Sequence, residues 1–225
     1  MRSSAALVSF VGLGVAGLVW AAVDPANGGL ATLLAAFALV AGGFAWLERG
    51  GATARDLTLV ATLGGIAAAG RLLFAPLPGV QPVTVIVAAA GVALGPRRGF
   101  AVGALAAIAS NMFLGQGAHT PWQMLAWGGC GALAGVLRPG LRRRTPFAAF
   151  CAVLGMAFGI LLDLWLWFAF YPHTWAALVT VLAAGVAFNA AHATGNFVLA
   201  FVAGPELRRV LDRHDRTVRT EVVWA

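Results

Sequence analysis

Long apolar runs alternate with short polar joints along the whole chain. The first run covers residues 5–23 and stops at Asp24-Pro25. The second, 30–47, ends at Glu48-Arg49, and the third, 57–75, leads into "APLPGVQP". Residues 83–95 form a fourth, closed by Gly95-Pro96-Arg97-Arg98, and 99–115, 121–137, 147–170 and 173–203 complete the series. Most runs hold about 17–25 residues, the length an α-helix needs to cross hydrocarbon. The fourth is short unless it borrows from its flanking loop. The eighth is long, which predicts tilt or projection beyond the bilayer. The pattern predicts an all-α, polytopic membrane helix bundle. The first run exceeds the apolar core of a signal peptide and is expected to be a retained helix.

Composition agrees. Of 225 residues, 60% are hydrophobic and 10% charged, against roughly a quarter charged in soluble domains. Too little polar surface exists to coat a globule in water. The formal net charge is +7, and every basic residue is an arginine. With the N-terminus in the cytoplasm and the runs alternating, fourteen of the fifteen arginines fall on the cytoplasmic side. The positive-inside rule then fixes the orientation, with both termini cytoplasmic in the cell membrane. The charge is read as topology, not as nucleic-acid binding. Cys130 and Cys151 lie inside apolar runs without metal-ligand spacing and are expected to be inert thiols.

Arg71 is the exception to the charge pattern. It sits near the outer end of the third run, where its alternatives are snorkelling to the headgroups or a polar site. Other polar residues share its depth. Ser110 and Asn111 occupy the outer half of the fifth run. Trp122 and Gln123 open the sixth, with Trp127 about one turn deeper. Asp163 lies above mid-depth in the seventh, with Trp167 a turn on. Asn189, His192 and Asn196 share one face of the eighth by their spacing. Such convergence predicts a cavity open to the outside, walled in part by the polar stretch 110–127. Asp163 is also a candidate ion-pair partner for Arg71, and Trp122 and Trp127 are candidate stacking surfaces for a planar ligand.

Two stripes of small residues recur at four-residue steps: Ala61, Gly65 and Ala69 in the third run, Gly99, Gly103 and Ala107 in the fifth. Stripes of this kind allow close helix approach in lipid. Spacing alone leaves internal packing and partner docking open.

The ordered segments "GRLLFAPLPGVQPVT", "GPRRGF" and "SNMFLGQGAHTPWQMLAWGGCGALAG" resemble the substrate-binding S-component of energy-coupling factor (ECF) vitamin transporters. The resemblance spans residues 57 to about 203. It implies a six-helix substrate-binding membrane domain over 57–204. The two additional N-terminal transmembrane helices over 1–56 depart from the family's pattern, and the basic cytoplasmic tail over 205–225 reads most simply as a solvated helix end. The resemblance also implies a vitamin site near the extracellular face, formed by the loop at 76–82 and the later helices. Substrate-binding residues expected on this basis are Arg71, Gln81, Asn111, Trp122, Gln123, Trp127, Asp163, Trp167, Asn189 and His192. Ala61, Gly65 and Ala69 lie where the family docks its transmembrane T-component. Two cytoplasmic ATPases complete such a transporter, and this chain carries no GxxxxGK[ST] loop of its own. No cofactor or metal is expected, and no catalysis. An ion-coupled carrier working alone, or an intramembrane enzyme using Asp163 and His192, are the competing readings. The mixed polar and aromatic residue set suits a mixed polar-aromatic ligand rather than a simple ion; the resemblance implies a vitamin-like small molecule, with a cobalamin-type cargo as the first expectation.

Overall fold

The computed structural model describes residues 2–222. It contains α1 (Arg2–Val23), a short 3-10 turn (Pro25–Asn27), α2 (Gly28–Glu48), α3 (Ala54–Leu73), α4 (Val83–Leu94), α5 (Pro96–Leu114), α6 (Thr120–Val136), α7 (Arg144–Phe170) and α8 (Trp175–Val222). No strand occurs among the described residues. The chain is all-α and polytopic, as its hydropathy pattern predicts.

Local chemistry sets the boundaries. Thr53 and Asp56 form a reciprocal cap at the start of α3: the Asp56 N–H donates to Thr53 Oγ1 at 3.2 Å and the Thr53 N–H to Asp56 Oδ2 at 3.0 Å. Gly95, at φ 93°, ends α4 in a conformation closed to most side chains, and Pro96 then opens α5.

Among the described residues, five helices are long and apolar enough to cross hydrocarbon: α1, α2, α3, α7, and α8 over Trp175–Leu211. α4 has only 12 residues, most of them buried, and touches α3, α5, α6, α7 and α8. It forms the axis of the bundle. A helix enclosed by protein has no need to match the lipid thickness.

The two small-residue stripes face opposite ways. Gly99, Gly103 and Ala107 are buried. A Cβ at Gly99 would strike Gly91 and Gly131, and one at Gly103 would strike the backbone of Trp127 and Gly128. Backbone therefore meets backbone where α5 crosses α6. Ala61, Gly65 and Ala69 are exposed, whereas Leu63, Gly64, Ala67, Ala68 and Arg71 of the same helix are buried. A Cβ on Gly65 would meet nothing within 4 Å.

The N-terminal pair attaches through one member. α2 packs on α5, α6 and α7, while α1 packs on α2. Gly43 leaves room for the Phe100 ring, which also meets Phe44 edge-on at 6.3 Å.

α8 runs through Pro205 without a break and, at 48 residues, is about 70 Å long. The boundary expected at 204 thus falls inside a helix. Arg208 is buried over the Phe147 ring at 4.6 Å and donates to the carbonyls of Leu141 and Gly204. Leu211 is buried too. The first part of the segment read as a solvated tail is therefore packed against the joint between α6 and α7. Residues 223–225 of that segment lie outside the described residues. Arg98 pairs with Asp56 at 2.8 Å, Gly135 abuts Pro96, and Arg208 holds Leu141. These contacts gather the arginine-bearing joints at one end of the bundle. Arg71 sits at the other end of α3.

Candidate functional site

The last turn of α3 turns Arg71 inward, leaving it 8% exposed. Its Nη1 donates to Ser110 Oγ at 2.7 Å and to Asn111 Oδ1 at 2.5 Å, and its Nε donates to Gln81 Oε1 at 3.3 Å. The guanidinium also lies 4.9 Å from the centre of the Trp127 ring. Every acceptor is neutral. The described residues contain no carboxylate paired with Arg71, and nothing among them accepts from its Nη2.

Asn111 passes the network on. Its Nδ2 donates to Thr120 Oγ1 at 3.0 Å and to Gln123 Oε1 at 2.8 Å, while the Thr120 hydroxyl donates to Gln116 Oε1 at 2.8 Å. This accounts for the polar stretch 110–127. The end of α5, the turn and the start of α6 satisfy one another and hold the far side of the arginine.

A second branch runs through Trp127, which is fully buried and stacked on Phe158 with ring centres 4.4 Å apart. Its Nε1 donates to Thr84 Oγ1 at 3.1 Å. Thr84 also contacts His192 Nε2 at 3.4 Å, and His192 Nδ1 faces the Gly79 carbonyl at 2.7 Å. A carbonyl only accepts, so Nδ1 carries a hydrogen there. With Thr84 accepting from the indole, its own hydrogen is left to donate to Nε2. α3, α4, α5, α6, α8 and the loop between α3 and α4 are thus tied into one buried polar layer.

The loop reaches α8 because of Gly79. Its φ is 74°, and an added Cβ would press on Ala191 and on the Phe188 carbonyl at 3.0 and 3.1 Å. Gly79→Ala is expected to lift the loop, break the His192 contact and cost about 1–3 kcal/mol. A lowered melting temperature, with faster hydrogen exchange confined to residues 76–82, is the expected readout. Exchange unchanged in that loop would show that α8 does not hold it.

Of the residues singled out in the sequence, Arg71, Gln81, Asn111, Gln123, Trp127 and His192 belong to this single network. Asp163 and Asn189 form another group. Asn189 Nδ2 donates to Asp163 Oδ2 at 2.7 Å, with Asp163 against Gly185 and Asn189 against Gly159. The pair closes the seam between α7 and α8, so Asp163 is not the ion-pair partner of Arg71. Trp167 belongs to a third group, donating to the Pro172 carbonyl at 3.1 Å and packing on Phe168 and His173. Trp122 is half-buried, and its Nε1 is shielded yet has no partner among the described residues. The side-chain atoms of Asn196 are likewise unpartnered there. The polar residues pack directly on one another in this arrangement. Thr84 and Gly79 were not singled out in the sequence. A threonine in an apolar run resembles packing, and no local signal marks the carbonyl that His192 meets.

A family model described as the ECF transporter, substrate-specific component, matches residues 55–204. No curated protein and no solved structure matches the chain.

Proposed function

The chain belongs to the family of ECF transporter substrate-specific components, and from that premise we propose that it captures a vitamin or related micronutrient on the outer side of the cell membrane. The family is a transporter binding component rather than an enzyme family, and its members work with a T-component and ATPases. The chain is membrane-embedded. The proposed orientation places both termini in the cytoplasm, on the arginine-rich end.

The observation that carries the reading is the buried cation at Arg71, surrounded by neutral acceptors only. Such a charge is costly in a membrane interior unless a function keeps it there. Its unpartnered Nη2 suits a ligand carrying a carboxylate, phosphate or carbonyl oxygen. Gln81, Asn111, Gln123 and His192 would select the ligand's polar groups, with Trp122 against its planar surface and Trp127, packed between Phe158 and the Arg71 guanidinium, holding the arginine in place. Asp163, Asn189 and Trp167 lie outside this network, and their proposed part in binding is indirect, with the Asp163–Asn189 pair holding the α7–α8 seam. A cobalamin-type molecule is the first cargo to assay, followed by other vitamins and nucleobase-like precursors. The exposed face of Ala61, Gly65 and Ala69 is proposed for T-component docking. The six-helix unit 57–204 would carry both faces.

Reconstitution tests this. Proteoliposomes with this chain alone should bind ligand without accumulating it, and ATP-dependent accumulation should appear when a T-component and two ATPases are added. Concentrative uptake by the pure chain would overturn the assignment.

A further inference from the structure

A cavity lies at the opposite end of the bundle from Arg71. It is a cleft of about 420 Å³ between the end of α2, the start of α3 and the joint from α4 to α5. One wall is apolar, formed by Trp46, Leu47 and Leu94. The other is cationic. Arg98 is neutralised by Asp56 at 2.8 Å and also donates to the Leu94 carbonyl at 3.3 Å. Arg97 is different. It is half-buried, lies over the Trp46 ring at 5.9 Å, and has no carboxylate partner among the described residues. Pro96 opens α5, so the backbone N–H groups of Arg97 and Arg98 have no acceptor within the helix. The cleft therefore offers one uncompensated guanidinium at the start of a helix, beside a greasy wall, where the apolar spans α2 and α3 adjoin.

We propose that this cleft is a binding site for the phosphate headgroup of an anionic phospholipid. Phosphate matches the planar fork of arginine. The apolar wall favours a phosphate attached to acyl chains over the free ion, because a solvated ion gains nothing from Trp46, Leu47 and Leu94. Basic pockets between helices on the cytoplasmic side hold lipid headgroups by this combination. The site also gives the N-terminal pair a task. Trp46, Leu47 and Gly50 precede the family match, which begins at residue 55. The cleft exists because α2 is present.

The test uses the full chain in neutral detergent, with phosphatidylglycerol or phosphatidylcholine added and retained lipid counted by native mass spectrometry. The wild type should retain phosphatidylglycerol over phosphatidylcholine. Arg97→Ala should lower that retention about fivefold, as expected for one arginine near a membrane surface. Arg97→Gln, which keeps the side-chain length, should behave alike and guards against misfolding of the smaller variant. Arg55→Ala removes the same charge from an exposed position outside the cleft lining and should change nothing. Millimolar inorganic phosphate should not displace the lipid. Full retention by both Arg97 variants, or equal loss in Arg55→Ala, would overturn the site. Complete displacement by inorganic phosphate would show that a soluble ion is its ligand and overturn the lipid assignment.

Discussion

Arg71→Ala should weaken cargo binding by about a hundredfold, the scale of truncating one partner of a buried, hydrogen-bonded charge pair. The side chain joins Gln81, Ser110 and Asn111 and lies over Trp127. Alanine removes the charge offered to the ligand and leaves three acceptors without their donor. Arg71→Lys separates the two effects. An ammonium restores the charge but cannot reproduce the planar fork, so it should recover the fold more fully than the affinity. The measurement is calorimetric titration of the isolated chain with the ligand identified by mass spectrometry after co-purification, alongside a melting curve. Affinity unchanged in both variants would take Arg71 out of the site. A double-mutant cycle with Asp163→Asn should show coupling below about 0.5 kcal/mol, because the two residues have different partners.

Gly65→Leu should abolish complex formation and uptake while the isolated chain binds ligand normally. Nothing stands within 4 Å of a Cβ at this position, and Ala61 and Ala69 beside it are exposed. The isolated protein therefore has no internal reason to reject a larger side chain. A partner helix does, because association in lipid depends on close backbone approach rather than on hydrophobicity. Co-purification of the T-component and ATP-driven uptake measure the loss, and ligand titration serves as the control. If affinity falls together with complex formation, the docking face lies elsewhere.

Helix positions were legible because hydrophobic length and breakers act locally. Gly95-Pro96 ends one helix and starts the next whatever surrounds it. Polar depth was legible in part: of the residues it grouped, Arg71, Asn111, Gln123 and His192 share one network, whereas Asp163, Asn189 and Trp167 fall outside it. Partner choice was not. Asp163 could satisfy an arginine or an amide equally well, and only the antiparallel register of α7 and α8 gives it Asn189. The two stripes have identical spacing, so their opposite facing depends on which helices pack where. The C-terminal segment misled for a related reason. A run rich in arginine resembles solvated surface until the Leu141 carbonyl, in the joint before α7, and the Phe147 ring, in the first turns of α7, meet Arg208.

The attachment of the N-terminal pair reverses the order of birth and the order of assembly. α1 and α2 leave the ribosome before α5, α6 and α7, yet those later helices build the surface that receives α2. Until those helices are inserted, Gly43 and Phe44 have no Phe100 to meet. The pair must wait in the bilayer as a hairpin sustained by its own contacts, in which Gly14 and Gly17 bring α1 close to Leu39 and Ala35. α1 is thus expected to act as a built-in escort. It covers one side of α2 through the interval in which the rest of the protein does not yet exist.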